Sequence, residues 1–204
     1  MRPFSSLTAP ACPLPIVNID TDQLIPARFL RYPRSEGYSD FLFRDLRFDT
    51  DGKKHDFPLN EPAYAKAEVI VARRNFGSGS SREGAVYALV DYGIRAVIAP
   101  SFGDIFASNA IKNGLLPAQI TEEAAEQLLA AGDMVAGRPV TVDLESQTIT
   151  VGNLVLPFAI DPVWKKQLLN GWDDIDLTLG QSQLIEAFCT QDRQARPWVV
   201  PNAS

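Results

Sequence analysis

The sequence is poor in the residues that hold transition metals. Its 204 residues include two cysteines, Cys12 and Cys189, near opposite ends, and one histidine, His55. No closely spaced set therefore exists for a structural zinc or for a four-cysteine iron–sulfur cluster. A Ser-His-Asp mechanism would have to run through His55, which sits in Asp51-Gly52-Lys53-Lys54-His55-Asp56 ahead of Pro58. That is turn composition, and His55 reads as a solvated loop residue. No apolar run approaches the roughly 20 residues that a bilayer crossing needs, and Met1 to Pro15 has no continuous hydrophobic stretch behind a basic start. The expectation is a cytoplasmic protein. Positive charge is also in the minority, 19 Lys and Arg against 25 Asp and Glu for a net charge of -6. This argues against a broad electrostatic grip on nucleic acid or anionic membrane and leaves room for a local basic pocket.

What is present suits an ordinary globular chain: 46% of residues are hydrophobic and 22% charged, over a length that one domain can fill. The β-branched run Glu68-Val69-Ile70-Val71-Ala72 reads as a buried strand. It leads through a Gly-Ser loop into a helix on Ala85, Val86, Leu89 and Val90 that stops at Tyr92-Gly93. A second strand, Arg95 to Pro100, follows; Ser101 and Asp104 have capping-box spacing for a helix ending near Asn113-Gly114. Strand, helix and strand of these lengths predict a right-handed crossover and a parallel pair, with function at the strands' C-terminal ends. Next come a helix from Thr121 to about Ala131, stopped by Gly132, and three short strands within 138–160. A helix capped by Asp161-Pro162 and closed by Gly171 precedes an amphipathic helix over about 181–191. Residues 1–192 are expected to form one domain and residues 193–204 a polar, proline-containing tail.

The chemistry lies in residues 75–84. Gly77-x-Gly79 is followed by Arg82 where a dinucleotide fingerprint needs its third glycine, and Ala85-Val86 stands where a P-loop needs Lys-Ser/Thr. Gly-x-Ser-x-Gly is absent. What remains is Ser80, Ser81 and Arg82 at a helix N-terminus, where free N–H groups and the positive dipole end favour an anion. Ser80 and Glu83 also have the spacing of a capping box, worth about 1 kcal/mol and needing no chemistry. On the residues alone, a carboxylate-binding or catalytic loop and a plain cap both stand.

Longer motifs go further. Asn75-Phe76-Gly77-Ser78-Gly79-Ser80-Ser81-Arg82-Glu83, Asp91-Tyr92-Gly93, Ala96 to Phe106 and Asn113-Gly114-Leu115-Leu116-Pro117 resemble the small subunit of 3-isopropylmalate dehydratase. So do Asn18 to Leu30, Leu42-Phe43-Arg44-Asp45 and Gly171 to Leu179, in the expected order along nearly the whole chain. The resemblance implies an α/β fold, the swivelling β/β/α three-layer domain of the aconitase superfamily. It also implies a separate large subunit carrying a [4Fe-4S] cluster, with no cofactor in this chain. The implied reaction is the interconversion of 2-isopropylmalate and 3-isopropylmalate by dehydration and rehydration in leucine biosynthesis. By the same resemblance Ser80 is the base that takes the proton from carbon, Ser81 and Arg82 hold substrate carboxylate, and Asp22 lies near the site.

Two departures stand out. Gly84 follows Glu83 where the family usually has histidine, and the loop Arg31-Tyr32-Pro33-Arg34-Ser35-Glu36-Gly37-Tyr38 differs from the usual version. Arg34 reads equally as a substrate-recognising arginine or as a solvated loop charge. The alternatives to the isopropylmalate reaction are a paralogous hydro-lyase for another 2-hydroxy acid, of methylmalate or homocitrate type, and a noncatalytic regulatory or assembly subunit.

Overall fold

The computed structural model describes residues 1–131 and 138–199. Among these, the strands β1 (Ser6–Leu14), β2 (Val69–Ala72), β3 (Ala96–Ala99), β4 (Leu116–Gln119), β5 (Pro139–Asp143), β6 (Thr148–Val151) and β7 (Leu154–Pro157) join in the order β4-β3-β2-β1-β5-β6-β7. The first four run parallel, and β5 to β7 form an antiparallel meander. The helices are α1 (Thr21–Leu24), α2 (Arg44–Arg47), α3 (Glu83–Tyr92), α4 (Asp104–Lys112), α5 (Glu122–Ala130), α6 (Pro162–Asn170), α7 (Asp174–Leu179) and α8 (Ser182–Ala195).

The expected crossover is β2-α3-β3, with Val69, Ile70 and Val71 lying parallel to Ala96, Val97 and Ile98. All four residues of both strands are buried, as a parallel sheet covered on both faces requires. Alternate residues enter different cores. Leu14, Ile70, Ala72, Val97 and Ala99 meet Ala85, Val86 and Leu89 of α3 and Phe106 and Ala110 of α4. Ala11, Val69, Val71, Ala96 and Ile98 meet Ala124 and Leu128 of α5, Val140, Val142 and Ile149 of the meander and Leu168 of α6. Each Val, Leu or Ile among them contributes roughly 1.5–3 kcal/mol of transfer free energy, so the sheet's central strands hold the loops at their ends in place.

Strand β1 joins the two halves of the sheet. Its residues 6–10 pair antiparallel with β5 and its residues 11–14 pair parallel with β2. Each half carries a ladder on one side only, which admits Pro10 and Pro13 into a strand that lies mid-sheet.

Neither of the two pairs with capping-box spacing, Ser80–Glu83 and Ser101–Asp104, forms that cap. The N-cap of α3 is Arg82, with no side-chain capping bond, so Ser80 lies outside the helix. The N-cap of α4 is Gly103, and the Ser101 hydroxyl instead accepts from the Asn75 N–H at 2.9 Å. The reason is common to both: the parallel pairing continues past the strand ends through bridges Asp20–Ser78 and Phe76–Phe102, which keeps the chain extended and delays each helix. Asp161 does cap α6, accepting from Val163 and Trp164 at 2.8 and 3.2 Å. The last helix runs on to Ala195. The Gly132 stop, and the end of the tail at 200–204, lie outside the described residues.

Candidate active site

Strands β1, β2 and β3 end side by side at Leu14, Ala72 and Ala99, and the three loops that follow converge. The loop after β2 is pinned from both sides. Gly77 N–H donates to Ile19 O at 2.7 Å and Thr21 N–H to Ser78 O at 2.9 Å, while Phe76 N–H donates to Ser101 O at 3.0 Å and Gly103 N–H to Phe76 O at 2.9 Å. Gly77 has φ +71°, and a Cβ there would meet the Phe106 ring at 2.2 Å. Only glycine gives both that conformation and that clearance.

These restraints place Ser80, Ser81 and Arg82 at the entrance of α3. Both serines are exposed, and among the described residues neither hydroxyl has a hydrogen-bond partner. No side chain caps α3; in its first turn Ala85 N–H donates to Arg82 O at 3.1 Å, and among the described residues the Glu83 and Gly84 N–H groups have no acceptor. Arg82 is largely covered, with 19% of its side chain exposed, and its Nη1 donates to the Asp22 carboxylate. Asp22 sits on α1, a single turn held by a reciprocal capping box. Gln23 N–H donates to Asp20 Oδ1 at 2.7 Å and Asp20 N–H to Gln23 Oε1 at 2.9 Å. The Asp20-x-x-Gln23 spacing is the signal that could have located this turn.

The cleft so formed measures about 180 Å³ and is lined by Thr21, Gly79, Ser80, Ser81, Arg82 and Asp104, among others. A larger hollow of about 520 Å³ lies on the other side of Asp104, over Phe102, Ile160 and Trp164. It holds two carboxylates, Asp104 and Asp161, and no cationic side chain, so it offers an anionic substrate no counter-charge. The smaller cleft, with Arg82, two free hydroxyls and a helix N-terminus, does.

Arg34 is not brought to this cleft. Its Nε and Nη2 engage the Asp91 carboxylate at 2.6–3.1 Å near the far end of α3, and its guanidinium lies 4.1 Å from the centre of the Tyr87 ring. Those hydrogen bonds hold its pKa above the ordinary arginine value. Asp91 follows Arg82 by nine residues, roughly 13 Å along the helix axis. His55 is exposed, and its Nδ1 lies 3.2 Å from Leu46 O.

The aconitase C-terminal domain family model matches residues 1–123, and one described as LeuD_N matches residues 126–162. The 3-isopropylmalate dehydratase small subunit of Rhodospirillum centenum is 49% identical over 202 residues, 98% of this chain and 100% of that protein. The chain belongs to the 3-isopropylmalate dehydratase small-subunit family. The small subunit of Roseobacter denitrificans is 47% identical over the same share of both proteins. Among solved structures, the 3-isopropylmalate dehydratase of Methanocaldococcus jannaschii matches with a TM-score of 0.63 and 29% identity, covering 89% of this chain and 98% of that one.

The aconitase-type fold of the family raises the question of an iron–sulfur cluster, and the cysteines here do not suit one. Cys12 is buried in the α3 core; burial pushes its thiol up to about 12, Glu61 adding to the shift and Arg47 opposing it. A cluster ligand must be a thiolate. Cys189 is exposed on α8, and among the described residues no three Cys, His, Asp or Glu side chains gather as a metal-binding group. No helix among them is long and apolar enough to cross a membrane.

Proposed function

We propose that this chain is the small subunit of a cytoplasmic 3-isopropylmalate dehydratase, a hydro-lyase that interconverts 2-isopropylmalate and 3-isopropylmalate in leucine biosynthesis. It works with a large subunit that carries the [4Fe-4S] cluster. The observation that carries this reading is the uncapped entrance of α3, with Ser80 and Ser81 unpartnered beside Arg82. In this assignment Ser80 removes the proton from carbon, and Ser81 and the Arg82 guanidinium hold a substrate carboxylate. Asp22 orients Arg82, leaving part of its planar fork for the substrate. A serine hydroxyl ionises far above neutral pH, so its developing negative charge needs the α3 N–H groups and Arg82 close by in a water-poor space.

The cleft supports the need for a partner. At about 180 Å³ and open to solvent, it falls short of the roughly 300–1,000 Å³ usual for a small-molecule site, so the remaining wall comes from elsewhere. Gly84, where the family usually has histidine, has a packing explanation: a Cβ there would lie 2.7 Å from Leu30 Cδ2 and 3.2 Å from Tyr38 Cε1. Leu30 and Tyr38 occupy the space that a larger residue would need, so packing accounts for glycine at this position.

The test is Ser80→Ala in the enzyme assembled with its large subunit. With no capping bond to lose, unfolding should shift by less than about 0.5 kcal/mol, as for other surface changes. Turnover should fall by at least about a hundredfold, the lower end of what positioned proton transfer contributes. Near-normal turnover in folded enzyme would remove Ser80 as the base.

A further inference from the structure

The residue that holds the Ser80 loop is Thr21, between Asp20 and Asp22. It is a buried polar residue, 3% exposed. Its backbone N–H donates to Ser78 O at 2.9 Å, and its hydroxyl donates to Ser80 O at 2.8 Å. These two carbonyls flank Gly79, whose φ is +92°. Glycine is the residue least restrained at such a turn, so without the two bonds the Ser78–Ser80 segment has wide backbone freedom. One residue thus closes both ends of the turn that presents the serine.

The hydroxyl bond does more than close the turn. In a planar trans peptide the C=O and the following N–H point in opposite directions. Fixing Ser80 O toward Thr21 therefore fixes the Ser81 N–H away from it, and that N–H has no acceptor among the described residues. We propose that Thr21 is a positioning residue: through Ser80 O it sets the orientation of the Ser80–Ser81 peptide, and with it both serine side chains and the free Ser81 N–H. The inference rests on the assignment of Ser80 as base given above. Thr21 itself transfers no proton and touches the chemistry only through this peptide. Its buried hydroxyl would otherwise be left unpaired, which ties the fold of α1 to the shape of the loop.

The experiment compares Thr21→Val, which keeps the shape and removes the hydroxyl, with Thr21→Ser, which keeps the hydroxyl and removes the methyl. Both are measured in the enzyme assembled with its large subunit, after thermal unfolding shows each is folded. Thr21→Val should lower kcat by roughly ten- to a hundredfold, since small displacements of a reacting group cost that much, and should raise KM as well, because Ser81 turns with the same peptide. Thr21→Ser should restore kcat to within about threefold of wild type. If Thr21→Val does not assemble, Thr21→Ala read against Thr21→Ser tests the same hydroxyl. A wild-type kcat in the hydroxyl-free enzyme overturns the proposal, as does a Thr21→Ser enzyme as impaired as Thr21→Val, which would assign the role to methyl packing. Ser80→Ala is run beside them. If it keeps turnover, the base assignment itself fails; if it abolishes turnover while Thr21→Val is normal, only the role of Thr21 fails.

Discussion

Arg82 does two things at once. Its backbone is the N-cap of α3, and its side chain reaches back to Asp22 on a different loop. The pair is lopsided in exposure, 19% for Arg82 against 56% for Asp22, so a water-facing carboxylate holds a mostly covered guanidinium. Such a part-exposed pair adds little to stability; its use is to direct the planar fork. Lysine would keep the charge and lose the two parallel donors that match a carboxylate. Arg82→Lys in the assembled enzyme should therefore leave the unfolding temperature nearly unchanged and lower kcat/KM by at least tenfold, about 1.4 kcal/mol of transition-state stabilisation. Steady-state kinetics decides it: wild-type efficiency would make Arg82 a surface charge. Ser80, Ser81 and Arg82 stand out as candidates in the sequence because an anion-binding loop calls for such groups next to one another at a helix N-terminus. The choice between a Ser80 cap and an open loop was not legible, because spacing carries no information about the Asp20–Ser78 bridge that keeps the chain extended.

At the level of elements, the segment between α1 and α2 forms a cover over α3. Its 3-10 turn Tyr38–Phe41 packs on that helix, Phe29 stacks on Phe41 at 4.3 Å between ring centres, and Arg34 spans to Asp91. Gly84 lets Leu30 and Tyr38 sit against the first turn of α3. Gly84→His should therefore destabilise the chain by roughly 1–3 kcal/mol through overpacking, although glycine itself is a poor helix former. Leu30→Ala in the same chain should recover part of the loss, because neighbours in contact are not additive. Thermal unfolding of the two single variants and the double variant measures this; strict additivity would mean that the loop does not fill the glycine's space. The strands β2 and β3 were legible from their β-branched runs, and α3, α5 and α6 from their periodicity and stops. Strand β1 was not, because Pro10 and Pro13 argue against a mid-sheet strand until its one-sided pairing is known. Strand β4 begins Leu116-Pro117 and was passed over as a connection. Arg34 is local in sequence to the loop, yet its partner Asp91 is 57 residues away, a distance no local pattern reports.

For the whole molecule, the arrangement argues for a protein that is half of a site. The sheet brings the Ser80 loop and the Arg82 guanidinium to one cleft at a common edge. The cleft is shallow, one thiol is locked in the core as a poor thiolate, and the other is on α8. A dehydration needs a carbon acid activated on one side and a hydroxyl leaving on the other, and among the described residues the proposed role of Ser80 addresses the first function alone. The purified chain alone should thus show neither visible iron–sulfur absorption nor turnover of 2-isopropylmalate, and both should appear on mixing with a cluster-loaded large subunit. Titrating the large subunit with this chain should bring activity to a plateau at a fixed stoichiometry, the outcome required if the partner supplies the second wall of the cleft. A stoichiometric cluster in the isolated chain, or activity without the partner, would overturn the division of labour. Ser80→Ala, titrated the same way, separates assembly from chemistry: it should bind the large subunit as wild type does and reach a plateau at least about a hundredfold lower.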